Sequence, residues 1–142
     1  MAAAGRVVVD TIELLGEHIR PGVTTGELDR LAADYIASQG GTSPFMGYRG
    51  YPASICTSPN AMVVHGIPGS LALDEGDILS VDVGVTLDGF VADSAFTFPV
   101  GEISPEAQRL LDACQAALEA GIEQCRPGNR LSDISHAVQT AT

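Results

Sequence analysis

The sequence has no lysine. Its seven basic side chains are all arginine, set against 18 aspartates and glutamates, for a net charge of −11 at pH 7. No basic patch is available to draw nucleic acid or an anionic membrane surface. Long apolar runs are missing too; none approaches the roughly 20 residues a spanning helix needs. The opening stretch Met1–Leu15 carries Asp10 and Glu13 within it and has no cleavage-type end, so no secretory signal is expected. Cysteine is scarce: three residues, an odd number, with no CxxC pair. Cys114 and Cys125 fall on one predicted helix, roughly 16 Å apart along its axis, too far to bridge. A reducing, cytoplasmic setting is the simpler reading.

What is present suits one globular domain. Hydrophobic residues make up 45% of the 142, enough for a real core. Val8, Ile12, Leu15 and Ile19 recur at helical spacing, and Pro21-Gly22 ends that helix. Thr24 and Glu27 have the spacing of a capping box for a second helix, with Leu28, Leu31, Tyr35 and Ile36 on its apolar side. A Gly/Ser/Pro-rich loop follows, yet it carries Phe45, Tyr48 and Tyr51. Short strands are expected around Ser54–Thr57 and Met62–His65, then a strand pair over Asp77–Leu87 and Phe90–Val100. Ser104-Pro105 starts a third helix, whose stripe is Leu110, Leu111, Cys114, Leu118, Ile122 and Cys125.

Arg20-Pro21-Gly22 and Arg126-Pro127-Gly128 each link one helical pattern to the next. This points to a duplicated unit. The second copy would continue beyond Thr142, so the chain is expected to be part of a longer protein.

The chemistry concentrates in the strand pair. Asp88-Gly89 favours a two-residue type I′ turn. Leu87 then faces Phe90, Asp82 faces Ala95, and Asp93 faces Gly84. Ser80, Asp82, Gly84, Asp93, Ala95 and Thr97 share one face. Leu79, Val81, Val83, Val85, Ala92, Ser94, Phe96 and Phe98 share the other, a core face. Two acids on a hairpin are often only a solvated face. Here they sit on diagonal positions about 7–8 Å apart between backbones, among small neighbours expected to leave a cavity. Like charges so close repel unless a cation or a proton lies between them. Carboxylate oxygens suit hard or borderline divalent metals, and paired metals hydrolyse amides. His65, before a Gly-x-Pro turn, is on its own more often structural. His18 suits the dipole at a helix end; His136, in a later helix, carries no functional reading. Asp77 and Asp88 read as turn residues.

The segments RPGVTTGELD, GYRGYP, ICTSPN, VVHGIP, VDVGVTLDGFVADSAFTF and RPGNRLSDI together resemble bacterial type I methionine aminopeptidases, in the order and approximate spacing of that family. The resemblance implies a mixed α/β (α+β) pita-bread fold: two pseudo-symmetric halves, each with helices packed on an antiparallel sheet. Residues 1–101 would form the first half, and 102–142 the first helices of the second. It implies two divalent metal ions (Co, Mn, Fe or Zn), with Asp82 and Asp93 as two of the ligands, and a monovalent cation that the loop of Asn60 can touch through its backbone. His65 would hydrogen-bond the substrate near the scissile amide. Phe45, Tyr48, Tyr51 and Cys56 would hold the methionine side chain, although Phe45 departs from the small polar or cysteine residue of the pattern. The remaining metal ligands, one histidine and two glutamates, and a second substrate-binding histidine come from the second half in the family.

The activity implied is removal of the initiator methionine from new polypeptides, preferring a small second residue, by a cytoplasmic monomer acting with neither nucleic acid nor membrane. The 142 residues alone are expected to be inactive. Alternatives are an Xaa-Pro peptidase of the same fold and a non-catalytic pita-bread binding protein. The GYRGYP and HGIP segments favour methionine over the first, and the two retained aspartates oppose the second.

Overall fold

Helix α1 runs over Ala2–His18 and α2 over Thr25–Ser38. The turn between them closes with Gly22 at φ 87, a conformation that favours glycine. The capping box forms in full. The Thr24 hydroxyl accepts from the Glu27 N–H at 3.2 Å, and the Glu27 carboxylate accepts from the Thr24 N–H at 2.8 Å. Two of the four orphan donors at a helix start are satisfied this way. In α1, the buried Thr11 hydroxyl donates to the Val7 carbonyl, which spares it an unpaired polar atom in the core.

Strands β1 (Ile55–Pro59), β2 (Ile78–Leu87) and β3 (Phe90–Pro99) make one antiparallel sheet in the order β1-β2-β3. Asp88 and Gly89 both have positive φ, 50 and 77, as the primed hairpin turn requires. Leu87 pairs with Phe90, Asp82 with Ala95 and Gly84 with Asp93, the register the turn predicts.

The apolar face of β2 (Leu79, Val81, Val83, Val85) is fully buried against Val8 and Leu15 of α1, Leu28, Ala32 and Ile36 of α2, and Ile55 of β1. Burial of this kind is worth about 1.5–3 kcal/mol per large side chain, so this cluster fixes the sheet against the helices. Leu31 and Tyr35 pack around its edge. Asp29 of α2 joins the layers differently: its Oδ1 accepts from the backbone N–H groups of Ser54 and Ile55, at 2.8 and 3.0 Å. The start of β1 is thereby hung from α2.

One expected strand is absent. Met62–His65 is irregular, and the reason is visible in its neighbours. Gly66 folds back on β1, its carbonyl accepting from the Thr57 N–H and its N–H donating to the Ser58 hydroxyl. Val63 and Val64 are left 82% and 60% exposed, so the apolar run has no buried face for a strand to rest on.

The computed structural model describes residues 1–142, and they divide into the unit above, Met1–Ile103, and a second unit, Ser104–Thr142. In the second, the Ser104 hydroxyl caps α3 (Pro105–Glu123) by accepting from the Ala107 N–H. Helix α4 covers Leu131–Ala141, and the Asp133 carboxylate accepts from the Arg130 N–H at its start. The linking turn repeats the first: Gly128 has φ 97. The expected apolar stripe of α3 is not its buried face. Ala117 and Gly121 are buried, with Val138 of α4 over Gly121, while Leu110, Leu118 and Ile122 are more than half exposed and Cys114 and Cys125 are exposed. Small residues let the two helices approach closely, and the larger stripe lies about 100° further round the helix.

Candidate active site

The hairpin register puts Asp82 and Asp93 on one face, and β1 extends that face, because Cys56 pairs with Asp82. Side chains at paired positions point the same way, so Cys56, Asp82 and Ala95 form a row across the three strands. Above this row opens a cavity of about 630 Å³. Its lining includes every residue the sequence singled out for catalysis or binding: Asp82, Asp93, His65, Phe45, Tyr48, Tyr51 and Cys56. Asn60 is not among the lining residues. It sits at φ 51, with its side chain tied to the Asp77 carboxylate and the Ile78 N–H.

The cavity expected beside the acids is present, but not directly over Gly84. Gly84 does not leave open space beside Asp93. A side chain there would meet the Phe45 ring at 2.7 Å and Pro44 at 2.9 Å, so the glycine seats Phe45 on the sheet. The cavity wall is brought inward by this contact. Ser43 holds the segment, its hydroxyl donating to the Ser54 carbonyl and accepting from the Phe45 N–H.

Tyr51 pins the aromatic loop to the rest of the site. Its hydroxyl lies within hydrogen-bond distance of the carbonyls of Ile55 and Gly66, at 3.0 and 2.9 Å, and its single proton is shared between them. One bond set therefore links the loop, the start of β1 and the turn after His65. Burial, and then the neighbouring Cys56 thiol, push the Tyr51 phenol well above its usual range, so it stays a proton donor. Burial also raises the Cys56 thiol; the neighbouring Tyr51 hydroxyl opposes this and the Asp82 and Asp93 charges add to it. A protonated thiol is a pocket wall and not a nucleophile. His65 itself adopts φ 60, uncommon for a residue with a side chain and a form of strain that clusters at functional positions.

Asp82 is the acid of the pair that its surroundings leave unsatisfied. Its Oδ1 is buried and has no hydrogen-bond partner. Burial raises its pKa, the Asp93 charge raises it further, and His65 opposes both. A buried, unpartnered carboxylate oxygen beside a second carboxylate fits an acceptor for a divalent cation. Nowhere in the chain do three or more His, Cys, Asp or Glu side chains gather to hold a metal, so this fit is to part of a coordination shell.

The direction of the Asp82 shift makes a testable statement about the metal-free protein. The folded state holds this proton more tightly than the unfolded state, so stability from Asp82 is full below about pH 4, its unfolded value, and is lost as pH rises through the raised folded value. The stability of the wild type relative to Asp82→Asn should therefore fall between pH 4 and pH 7, as read from urea midpoints in a chelator. A difference that is flat or rises with pH would contradict the burial of the charge.

Sequence reasoning did not single out Arg49, Pro52 and Ile67, which also line the cavity, nor the Asp29 anchor. The glycines on both sides of Tyr48-Arg49 were the available signal for Arg49. None existed for Asp29, whose partners lie 25 and 26 positions away.

The sequence profile of Metallopeptidase family M24 matches residues 1–142. Methionine aminopeptidase 1 of Bacillus subtilis (strain 168) is 49% identical over 140 residues, 99% of this chain and 56% of that protein. The methionine aminopeptidase of Clostridium perfringens (strain 13 / Type A) is 48% identical over 139 residues, 98% of this chain and 56% of that protein. The crystal structure of methionine aminopeptidase from Rickettsia prowazekii matches with a TM-score of 0.96 at 39% identity, over 98% of this chain and 56% of that one. The chain spans about half the length of the curated relatives it matches.

Proposed function

From the premise that the chain belongs to metallopeptidase family M24, we propose that the whole protein is a metal-dependent aminopeptidase that removes the N-terminal methionine of new polypeptides. Its fold is the pita-bread fold of its structural neighbours, over about half their length. The observation that carries the reading is the convergence, in one cavity, of two carboxylates, a histidine and an aromatic wall.

In this reading Asp82 and Asp93 hold divalent metal, together with ligands from outside these residues. When bound, such metals supply an activated water and polarise the scissile carbonyl. The protein's own residues do the rest. His65, set on a turn that Tyr51 and Thr57 hold from two sides, donates a hydrogen bond near the scissile amide and orients it. Phe45, Tyr48 and Tyr51 offer ring edges and faces to a thioether, which aromatic side chains hold well. Cys56 closes that wall as a neutral, polarizable surface. The preferred second residue is small. The protein acts as a monomer in the cytoplasm on chains leaving synthesis. No helix is long and apolar enough to cross a membrane.

The test is a comparison of turnover by the whole protein on Met-Ala-Ser, Leu-Ala-Ser and Ala-Pro-Ser peptides with divalent metal supplied. Met-Ala-Ser should lead the others by about tenfold or more, the scale on which an apolar pocket separates similar side chains. Faster release from Ala-Pro-Ser would move the protein to Xaa-Pro cleavage. Activity that survives exhaustive chelation would remove the metal.

A further inference from the structure

We propose that Asp29 is a positioning residue for recognition of the methionine side chain: from outside the cavity it fixes the wall formed by Phe45, Tyr51 and Cys56. The inference rests on the aminopeptidase reading above.

Asp29 lies on α2 and is not among the residues that line the cavity. Its reach into the site runs through two residues. β1 is an outer strand of the sheet, so the backbone groups on its free edge have no strand to pair with. At the start of that edge the Asp29 Oδ1 accepts from the N–H groups of both Ser54 and Ile55. Both residues are buried, so neither donor turns readily to water when the carboxylate is removed. A buried donor left unpaired is costly, and bonds to a charged acceptor are the stronger kind.

The carbonyls of the same two residues hold the two ends of the aromatic loop. The Ser54 carbonyl accepts from the Ser43 hydroxyl, whose oxygen in turn accepts from the Phe45 N–H. The Ile55 carbonyl lies 3.0 Å from the Tyr51 hydroxyl. Cys56 is the next residue of the strand, paired with Asp82. Phe45, Tyr51 and Cys56 therefore all hang on a two-residue stretch whose N–H side is held by one carboxylate oxygen, and Asp29 ties that stretch to α2. The acid pair is held differently. Asp82 and Asp93 take their places from the β2–β3 register and from the buried face of β2, in which Asp29 has no part. Loss of Asp29 should thus loosen the grip on the methionine side chain without moving the acids, and the signature of that is a change in KM and in side-chain preference more than in kcat.

The experiment measures kcat and KM of the whole protein, with divalent metal supplied, on Met-Ala-Ser and Leu-Ala-Ser, together with amide hydrogen exchange along β1. In Asp29→Ala, KM for Met-Ala-Ser should rise by about fivefold, the scale of one net hydrogen bond, while kcat stays within about twofold. The preference for Met over Leu should shrink by about threefold in the same variant, and the Ser54 and Ile55 amides should exchange faster relative to the other β1 amides. Asp29→Asn keeps an acceptor oxygen in place and should retain most of the preference. Asp29→Glu keeps the charge but moves the oxygen by a methylene; it should lose part of the preference, and it reads the role if Asp29→Ala does not fold. Thr24→Ala, which removes the cap of the same helix, should lower Tm and leave the Met/Leu ratio unchanged. An unchanged KM and Met/Leu ratio in both Asp29→Ala and Asp29→Glu, whatever their melting temperatures, overturns this proposal alone, as does an Asp29→Asn variant as impaired as Asp29→Ala. No hydrolysis of either peptide by the wild type overturns the aminopeptidase reading and this proposal with it.

Discussion

Asp82→Asn and Asp93→Asn, each made in the whole protein, are expected to lower kcat by about a hundredfold or more while leaving the fold in place. The size follows from a comparison: groups that merely orient a metal ligand are worth about 10–100-fold, and a ligand is worth no less. An asparagine keeps the shape of the side chain and one acceptor oxygen, but it loses the charge that makes the pair attractive to a cation. The fold should tolerate the change for the same reason. At Asp82 the substitution removes a charge that burial and Asp93 both oppose, so the metal-free protein should melt no lower than wild type at pH 7. Metal content by mass spectrometry, with turnover on Met-Ala-Ser, reads the first part, and thermal melts in chelator read the second. Near-normal turnover in either variant would show that the carboxylate is not a ligand.

Gly66→Ala should be the most damaging single methyl group in the first unit. A Cβ at this position would overlap the Thr57 carbonyl oxygen, which is strand backbone and cannot rotate aside. The same glycine accepts hydrogen bonds from the Thr57 N–H and the Tyr51 hydroxyl. Displacing it therefore disturbs β1, the aromatic loop and His65 together. Overpacking of this kind costs about 3 kcal/mol, which corresponds to a fall in Tm on the order of ten degrees. Turnover should drop even at temperatures where the variant stays folded, because the histidine next to it has moved. A variant with wild-type melting and wild-type kcat/KM would mean that the turn is looser than its contacts imply.

The sequence disclosed most where a local rule had one solution. Asp88-Gly89 fixed a turn, the turn fixed the register, and the register put both aspartates on one face without any long-range information. Thr24–Glu27 and Ser104-Pro105 marked helix starts in the same local way. The failures occurred where the deciding partner was distant. Val63 and Val64 look like strand residues, and only the return of Gly66 onto β1 shows that they do not lie in one. The cavity beside the aspartates is there, but the room over Gly84 itself is taken by Phe45, a residue 39 positions earlier. The α3 stripe was read from apolar residues at helical spacing, whereas helix contact in this unit selects the smallest side chains. Of the cavity itself, the residue types were legible, and the hydrogen bonds that hold them in place were not.

The left-handed residues have a consequence for how freely this protein can vary. Arg49, Asn60, His65 and Asp88 all occupy conformations that glycine would accept more readily. Replacing a strained residue is ordinarily a simple route to a hardier protein. Here that route is mostly closed. Arg49 and His65 line the cavity, and Asn60 joins its loop to Asp77 and Ile78. Asp88, exposed at the hairpin tip, is the one position of the four at which drift can relieve backbone tension without touching either the site or the ties between its loops.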